Sequence, residues 1–389
     1  MTAETFDHNS ARRPGTLAAR AGVCQDPAYG AVMAPLYVSS NFAFEGFEKK
    51  GRYDYGRSGN PTRDLLAQAL TQLEGGAGAV VTASGMAAID LALSSLGPED
   101  LLIAPHDAYA GTLRLLAGRA QRGAYRFALV DQTDPRALAE AMDRNPAMVL
   151  IETPSNPLLR IVDIAAVAEA AHAAGAKVLV DNTFMSPALQ RPLDLGADLV
   201  VHSTTKYLNG HSDVVGGAVV TADKQDAEDL AAWANSTGVT GSPFDAWLTL
   251  RGLRTLFARV ERQQASAGRI AAFLAAHPAV ATVHYPGLDS HPGHALAARQ
   301  QRGFGSMVSF EPKGGAEAVE PLLDRLSLFI LAESLGGVES LIDHPVTMTH
   351  AEMGPAALEA AGVGPGLLRL SIGLEDCDDL IADLDHGLG

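Results

Sequence analysis

Cysteine is scarce in this 389-residue chain: Cys24 and Cys377 are its only two, far apart and in no C-x-x-C pair. That excludes a disulfide framework and a cysteine-built zinc cluster, leaving two reduced thiols as the plain reading. Positive charge is also in deficit, with 29 lysines and arginines against 45 aspartates and glutamates and a formal net charge of −16. Binding a phosphate backbone needs a concentrated basic surface, so nucleic acid is excluded as a partner. No apolar run approaches the ~20 residues of a membrane span. The opening MTAETFDHNSARRPG lacks a hydrophobic signal segment, so the chain is expected in the cytoplasm, with no membrane partner. Internal repeats and low-complexity linkers are missing as well.

What is present is apolar residue in quantity, 47% of the chain, and more length than one ordinary core uses. Two domains are therefore expected, or one large α/β domain with additions. Residues 1–60 are rich in turn formers and read as an extended arm. From about Asn60 to Leu250, apolar strand candidates (AVVTA, LLIAP, MVLIE, KVLVD, DLVVHS, GAVV) alternate with helical patterns. Such alternation predicts right-handed βαβ units and a mainly parallel sheet. One long helix, about RGLRTLFARVERQQASAGRIAAFLAAHP, then leads into a smaller α/β region carrying FGSMVSFEP, LSLFILAESLGG and LLRLSIGLED. The divisions expected are 1–60, 61–255 and 256–389.

Open parallel sheets bind ligands beyond the carboxyl ends of their strands. Ser84, Asp107, Tyr109, Asn156, Asp181, Ser203 and Lys206 all fall just past such ends. The richest stretch runs from Lys177 to Gly217. Asp181 ends one apolar strand, and about 25 residues later Ser203, Thr205 and Lys206 follow another. A carboxylate, hydroxyls and an amine converging at one sheet edge are what pyridoxal 5′-phosphate (PLP) requires. The amine forms a Schiff base, the carboxylate holds the pyridine nitrogen protonated, and the hydroxyls take phosphate oxygens. AVVTASGMAAID adds a strand running through Ser84-Gly85-Met86 into a helix, where Gly85 allows close approach and first-turn N–H groups face an anion.

Each residue also has a bland reading. Lys206 taken alone is a solvated amine, yet it follows an apolar strand beside Tyr207 and glycines, where burial lowers its pKa and makes it a better nucleophile. Asp181 serves equally as a strand-end cap. Tyr109 is a loop aromatic or a ring stacked on pyridine. Arg369 in LLRLSIGLED is a core-edge ion pair or a bidentate carboxylate clamp. The histidines of HYPGLDSHPGH (His284, His291, His294) have prolines breaking their register and no acid at ligand spacing, so they read as loop caps and no metal is expected. His202 and His211, flanking the lysine, read as packing or hydrogen-bonding residues. The acidic tail EDCDDLIADLDHG reads as the solvated face of a terminal helix docked by its Leu and Ile positions.

At these residues the chain resembles the Cys/Met-metabolism PLP-dependent enzymes, from about Gly15 to its C-terminus. The motifs that carry the resemblance are YGRSGNPTR (55–63), SGM (84–86), ETPSNP (152–157), VDNTF (180–184), HSTTKYLNGHSDVVGG (202–217), LAESLGG (331–337) and LRLSIGLED (368–376). VDNTFMSPALQRPL, TKYLNGHSDVVGG, RQQRGFG and LAESLGGVESLI are most similar to the bacterial members that build cystathionine. The resemblance implies an α/β fold of the PLP-dependent transferase type I, aspartate aminotransferase-like, with a mainly parallel large domain and a smaller C-terminal one. It implies that Lys206 holds the cofactor and shuttles protons, and that Asp181 pairs with the pyridine nitrogen. Tyr109 would stack on the ring and assist proton transfer. Gly85, Met86, Ser203 and Thr205 would hold the phosphate, joined by Tyr55 and Arg57 from a neighbouring subunit, which makes a dimer obligatory within a dimer of dimers. Arg369, Ser334 and Asn156 would bind the substrate α-carboxylate, Glu333 a second ammonium, and Asp54 and Arg114 would line the entrance.

The activity so implied is γ-replacement: an O-acylhomoserine exchanges its acyloxy group for the thiol of L-cysteine and gives L-cystathionine. Without a thiol the same chemistry ends in 2-oxobutanoate and ammonia, so a cystathionine γ-lyase or an O-acylhomoserine sulfhydrylase is the alternative. Two departures bear on this. Some members have an arginine directly after the residue matching Arg57, suited to a succinyl carboxylate, whereas Ser58 stands here and leaves succinyl and acetyl donors both open. A cysteine typical of methionine-cleaving members beside the tyrosine is replaced by Gly111.

Overall fold

The computed structural model describes residues 12–389, so the first eleven residues of the expected arm lie outside the described residues. Within residues 12–60 one short helix, Pro14–Ala19, interrupts extended and turning chain. The larger sheet contains β1 (Gly78–Thr82), β2 (Leu101–Pro105), β3 (Arg126–Val130), β4 (Met148–Glu152), β5 (Lys177–Asp181), β6 (Leu199–Ser203) and β7 (Gly217–Thr221). Their order across the sheet is β1-β7-β6-β5-β4-β2-β3. All pairings are parallel except those of β7, which runs against both β1 and β6. β1 therefore points the same way as β6, and its carboxyl end reaches the same edge.

Helices cover both faces, as the near-continuous apolar strands require. On one face Val81, Val200 and Val220 meet Leu66, Leu70 and Leu73 of helix Pro61–Glu74, while Val149, Ile151, Val178 and Val180 meet Val167, Ala168 and Ala171 of helix Ile164–Ala173. On the other face Leu150, Leu179, Leu199 and Val219 pack with Ala88 and Ile89 of helix Gly85–Ala92. β3 was not anticipated from the sequence: it is an edge strand whose residues remain partly exposed, so it carries no strong apolar signal.

The second sheet holds β8 (Val280–His284), β9 (Met307–Pro312), β10 (Ile330–Leu331), β11 (Leu341–Asp343) and β12 (Leu368–Ser371), in the order β10-β11-β12-β9-β8. Phe310, Ile342, Leu368 and Leu370 pack against Ile270 and Leu274 of helix Leu256–Ala276 and Leu380 and Leu384 of helix Cys377–Leu388. Asp383 of the terminal helix is not on its solvated face: it is buried and accepts the N–H groups of Ser327, Leu328 and Phe329.

The long helix expected near residues 251–278 is two helices, Pro243–Leu253 and Leu256–Ala276. The break is held from outside. Arg259 Nη2 donates to the carbonyls of both Tyr207 and Gly252, at 2.8 and 2.9 Å. Gly252 lies so close to the segment after Lys206 that a Cβ there would sit 2.0 Å from the Asn209 carbonyl oxygen. In an ordinary helix Gly→Ala stabilises by about 1 kcal/mol. For Gly252→Ala the opposite sign is expected, a loss of about 1–3 kcal/mol from overpacking, read as a lower melting temperature by circular dichroism.

Candidate active site

Four strands end at one edge and deliver the site. β4 ends in Glu152 and β5 in Asp181, side by side in register, and β6 ends in Ser203 with Lys206 in the turn beyond. β1 leads into Ser84, whose Oγ accepts the Ala87 N–H at 3.1 Å and caps helix Gly85–Ala92. This leaves the N–H groups of Gly85 and Met86, at the first two helical positions, without intrahelical partners. A Cβ on Gly85 would stand 2.7 Å from Ser203 Cβ, so only glycine admits this approach of helix to strand end.

These groups line one cavity of about 260 Å³, which the second sheet closes with Glu333, Ser334 and Arg369. Of the fifteen residues given site roles by the resemblance, eleven lie on its wall: Gly85, Met86, Tyr109, Asn156, Asp181, Ser203, Thr205, Lys206, Glu333, Ser334 and Arg369. Four do not. Tyr55 is 49% exposed, with the Arg57 guanidinium 5.6 Å from its ring centroid and Arg57 also bonded to the Asn235 carbonyl. Asp54 pairs with Lys50 at 2.8 Å, and the exposed Arg114 pairs with Glu352.

Lys206 Nζ donates to Ser334 Oγ at 2.7 Å. Burial, and after it the Arg369 guanidinium, lower its pKa to about 8. Ser334 holds a φ of +88°, unusual for a residue with a side chain and a local backbone strain of the kind found at functional sites. Arg369 is nearly fully buried. Its Nη1 donates to Asn156 Oδ1 at 2.8 Å, its Nη2 donates to the Ser334 carbonyl at 3.1 Å, and it pairs with Asp343 at 3.4 Å. Its Nε is buried without a partner, a donor left over for a ligand's acceptor. Asp181 Oδ1 accepts the Thr183 N–H at 2.9 Å. Burial pushes the Asp181 pKa up, against the Thr183 bonds and the nearby His202 that pull it down. The Thr205 hydroxyl donates to the Gly216 carbonyl and accepts its N–H. Tyr109 folds its ring over Gly111, where a Cβ would meet Cε1 at 2.5 Å.

The sequence reading did not single out Glu152. Its two oxygens accept the N–H groups of Tyr109 and Asn156, at 2.9 and 3.1 Å, tying together two loops that carry site residues. Burial, then the neighbouring Asp181, raise its pKa well above the carboxylate range. An acid ending MVLIE just as Asp181 ends KVLVD was the available signal. Thr183 was missed as well; its hydroxyl accepts the Ser203 N–H and fixes the end of β6. His202 and His211 are hydrogen-bonded, to Glu74 and to the Asn209 carbonyl respectively. His291 Nδ1 accepts the Gly293 N–H, and His294 Nδ1 bonds the Pro286 carbonyl.

The sequence signature described as Cys/Met metabolism PLP-dependent enzyme matches residues 15–389. The chain belongs to that family. The cystathionine γ-synthase of Escherichia coli K12 is 54% identical over 97% of this chain and 98% of its own length. The crystal structure of cystathionine γ-synthase from Xanthomonas oryzae pv. oryzae, in complex with cystathionine, is 60% identical with a TM-score of 0.96, covering 97% of this chain and 98% of that one. That of cystathionine γ-lyase from Lactobacillus plantarum, complexed with L-serine, is 38% identical with a TM-score of 0.93, covering 97% and 98%. The fold is thus that of PLP-dependent cystathionine synthases and lyases, and PLP is the cofactor. The cavity of this family member fits the group: a glycine-floored helix start for the phosphate, a strand-end carboxylate for the ring nitrogen, and a part-buried amine for the aldehyde.

The lowered pKa of Lys206 has a direct test. The amine is protonated below about 8 and neutral above it. In the apoprotein its acylation by an amine-selective reagent should climb with pH and level off above about 8, where a surface lysine goes on rising towards ~10.4. Peptide mass spectrometry of the Lys206 segment across pH measures this.

Proposed function

We propose that this chain makes L-cystathionine from L-cysteine and an O-acylhomoserine, O-succinyl or O-acetyl, with PLP as cofactor and γ-elimination as a side activity. The observation that carries this reading is the pairing in one cavity of a buried arginine clamp with Glu333, beside the Lys206 amine. A zwitterionic amino acid needs the clamp for its carboxylate, and an incoming second amino acid offers an ammonium to Glu333. The near full-length similarity to two cystathionine γ-synthases supports it.

Bound PLP supplies an electron sink for negative charge at the substrate Cα. Gly85 and Met86 offer N–H groups to the phosphate with Ser203, and Thr205 turns its O–H from Gly216 to a phosphate oxygen. Asp181 holds the ring nitrogen's proton. Tyr109, whose N–H Glu152 anchors, stacks on the ring, and its phenol assists proton transfer. Arg369 and Asn156 bind the α-carboxylate with Ser334. Lys206 would hold the cofactor through its aldehyde. Its free amine would carry protons at the substrate's Cα and Cβ, and the lowering of its pKa by burial favours taking and giving a proton near neutral pH. Loss of the proton at Cβ lets the γ-acyloxy group leave, and the cysteine thiolate takes its place at Cγ.

Tyr55 and Arg57 act in the neighbouring subunit's site, within a homotetramer built as a dimer of dimers. Their position away from their own chain's cavity supports this, as do the exposed apolar side chains of the arm, among them Tyr29, Val38, Phe44 and Phe47. Asp54 and Arg114 line the entrance. The chain divides into an arm (1–60), a PLP-binding domain (61–255) and a small domain (256–389). None of the described helices is long and apolar enough to cross a membrane, and the two unbridged cysteines support a reducing compartment, the cytoplasm. Cystathionine γ-lyase or O-acylhomoserine sulfhydrylase is the second reading, favoured by Ser58 and by the L. plantarum lyase with its near-identical fold.

Product assays with both acyl donors, each with cysteine or sulfide, separate these readings. Cystathionine is expected with cysteine, and 2-oxobutanoate without it. A protein that cleaves cystathionine but makes none from either donor ends the synthase reading. Lys206→Ala should abolish turnover. Mixing inactive Lys206→Ala with inactive Arg57→Ala should restore about a quarter of wild-type activity, because half the dimers are mixed and each has one intact site; no recovery after subunit exchange rules out the shared site.

A further inference from the structure

Beneath the site, on the face of the sheet covered by helix Pro61–Glu74, lies a charged cluster that the chemistry above does not use. Glu74 is fully buried and His202 nearly so. His202 Nε2 stands 2.7 Å from Glu74 Oε1, and the same oxygen accepts Asn182 Nδ2 at 2.9 Å. The Asn182 amide donates to that oxygen, which favours the carboxylate form of Glu74 and with it the proton on Nε2. Asn182 is held in turn by Gln190, whose carbonyl accepts the Asn182 Nδ2 and whose Nε2 donates to Asn182 Oδ1 at 3.1 Å. Two polar atoms of the pair, Glu74 Oε2 and His202 Nδ1, are buried without partners. Keeping an acid dry and only partly bonded costs stability, so a packing role alone does not account for it.

The cluster adjoins Asp181. Asn182 is the next residue, its N–H bonds the Val201 carbonyl, and His202 lines the same cavity as Asp181. Asp181 meanwhile is part-buried beside a buried acid, Glu152, across the β4–β5 pair. Two carboxylates at that spacing oppose each other's ionisation, and burial opposes both. Of the other charged groups nearby, Arg191 Nε donates to the Glu74 backbone carbonyl, and Asp107 lies near Glu152. Among the described residues, the His202 imidazole stands on the opposite face of the sheet, next along its strand from Val201, the register partner of Asp181, where a positive charge would offset that of Asp181.

We propose that Glu74 and His202 are positioning residues: Glu74 holds a positively charged His202 imidazole behind Asp181, keeping that carboxylate ionised toward the pyridine nitrogen of PLP. The inference rests on the reading that Asp181 faces the ring nitrogen, and it adds two residues that touch neither cofactor nor substrate.

The test compares two ligands on apoprotein: PLP, and the analogue in which C–H replaces the ring nitrogen. Glu74→Gln and His202→Gln should each weaken PLP about tenfold and leave the analogue within about twofold, since a charge acting through the nitrogen is worth about one pKa unit and the analogue has none to feel it. His202→Gln keeps a donor for Glu74, so it preserves folding if Glu74→Gln does not; melting curves check both. Equal weakening of both ligands means a merely structural role and overturns the proposal, as does no weakening of either. Asp181→Asn is the control. If it too fails to distinguish the ligands, the ring-nitrogen reading has failed; if it distinguishes them and the Glu74 and His202 variants do not, only the proposal has.

Discussion

Two acids confined at the ends of adjacent strands govern this molecule. β4 and β5 each finish in an acid, and parallel register sets Glu152 against Asp181. In water the repulsion between two such groups would be slight; in a site walled by apolar strands and helices it is large. The surroundings answer it with backbone N–H groups from Tyr109, Asn156 and Thr183. Those N–H groups belong to the loops that carry the rest of the site. Relieving the acids and placing the reactive side chains are therefore one event in folding.

The amine is controlled from the opposite wall. Lys206 stands on the large sheet, while its bonded neighbour Ser334 and the arginine that lowers its pKa stand on the small one. Neither sheet alone makes a working centre. Ser334 joins the two functions, accepting from Lys206 through its side chain and from Arg369 through its carbonyl. A strained backbone is tolerable where one residue must point two groups at two partners.

Much of this was legible in the chain, for physical reasons. Buried parallel strands need unbroken apolar runs, and six of the seven large-sheet strands showed them; β3, half exposed at the edge, did not. Side chains bearing chemistry just past those runs fell into one cavity because parallel strands share an edge. Glu152 escaped notice because an acid at a strand end looks the same whether it caps a turn or anchors a site. Asp343 escaped because β11 is only three residues long and gives no pattern to read. Helix continuity across residues 253–256 was overestimated, since the break is imposed by Arg259 and Asn209 contacts distant in sequence. Tyr55, Arg57, Asp54 and Arg114 were assigned by likeness to relatives, and a single chain leaves them outside the cavity.

The ring of Tyr109 rests on bare backbone at Gly111. The tilt of the phenol is therefore set by an atom that is not there. A single methyl at this position would press the aromatic plane aside, changing the face that the chamber presents to its guest without adding a charge or a hydrogen bond. Steric vacancy, as much as any polar contact, thus becomes a dial on which reactants this scaffold can accommodate.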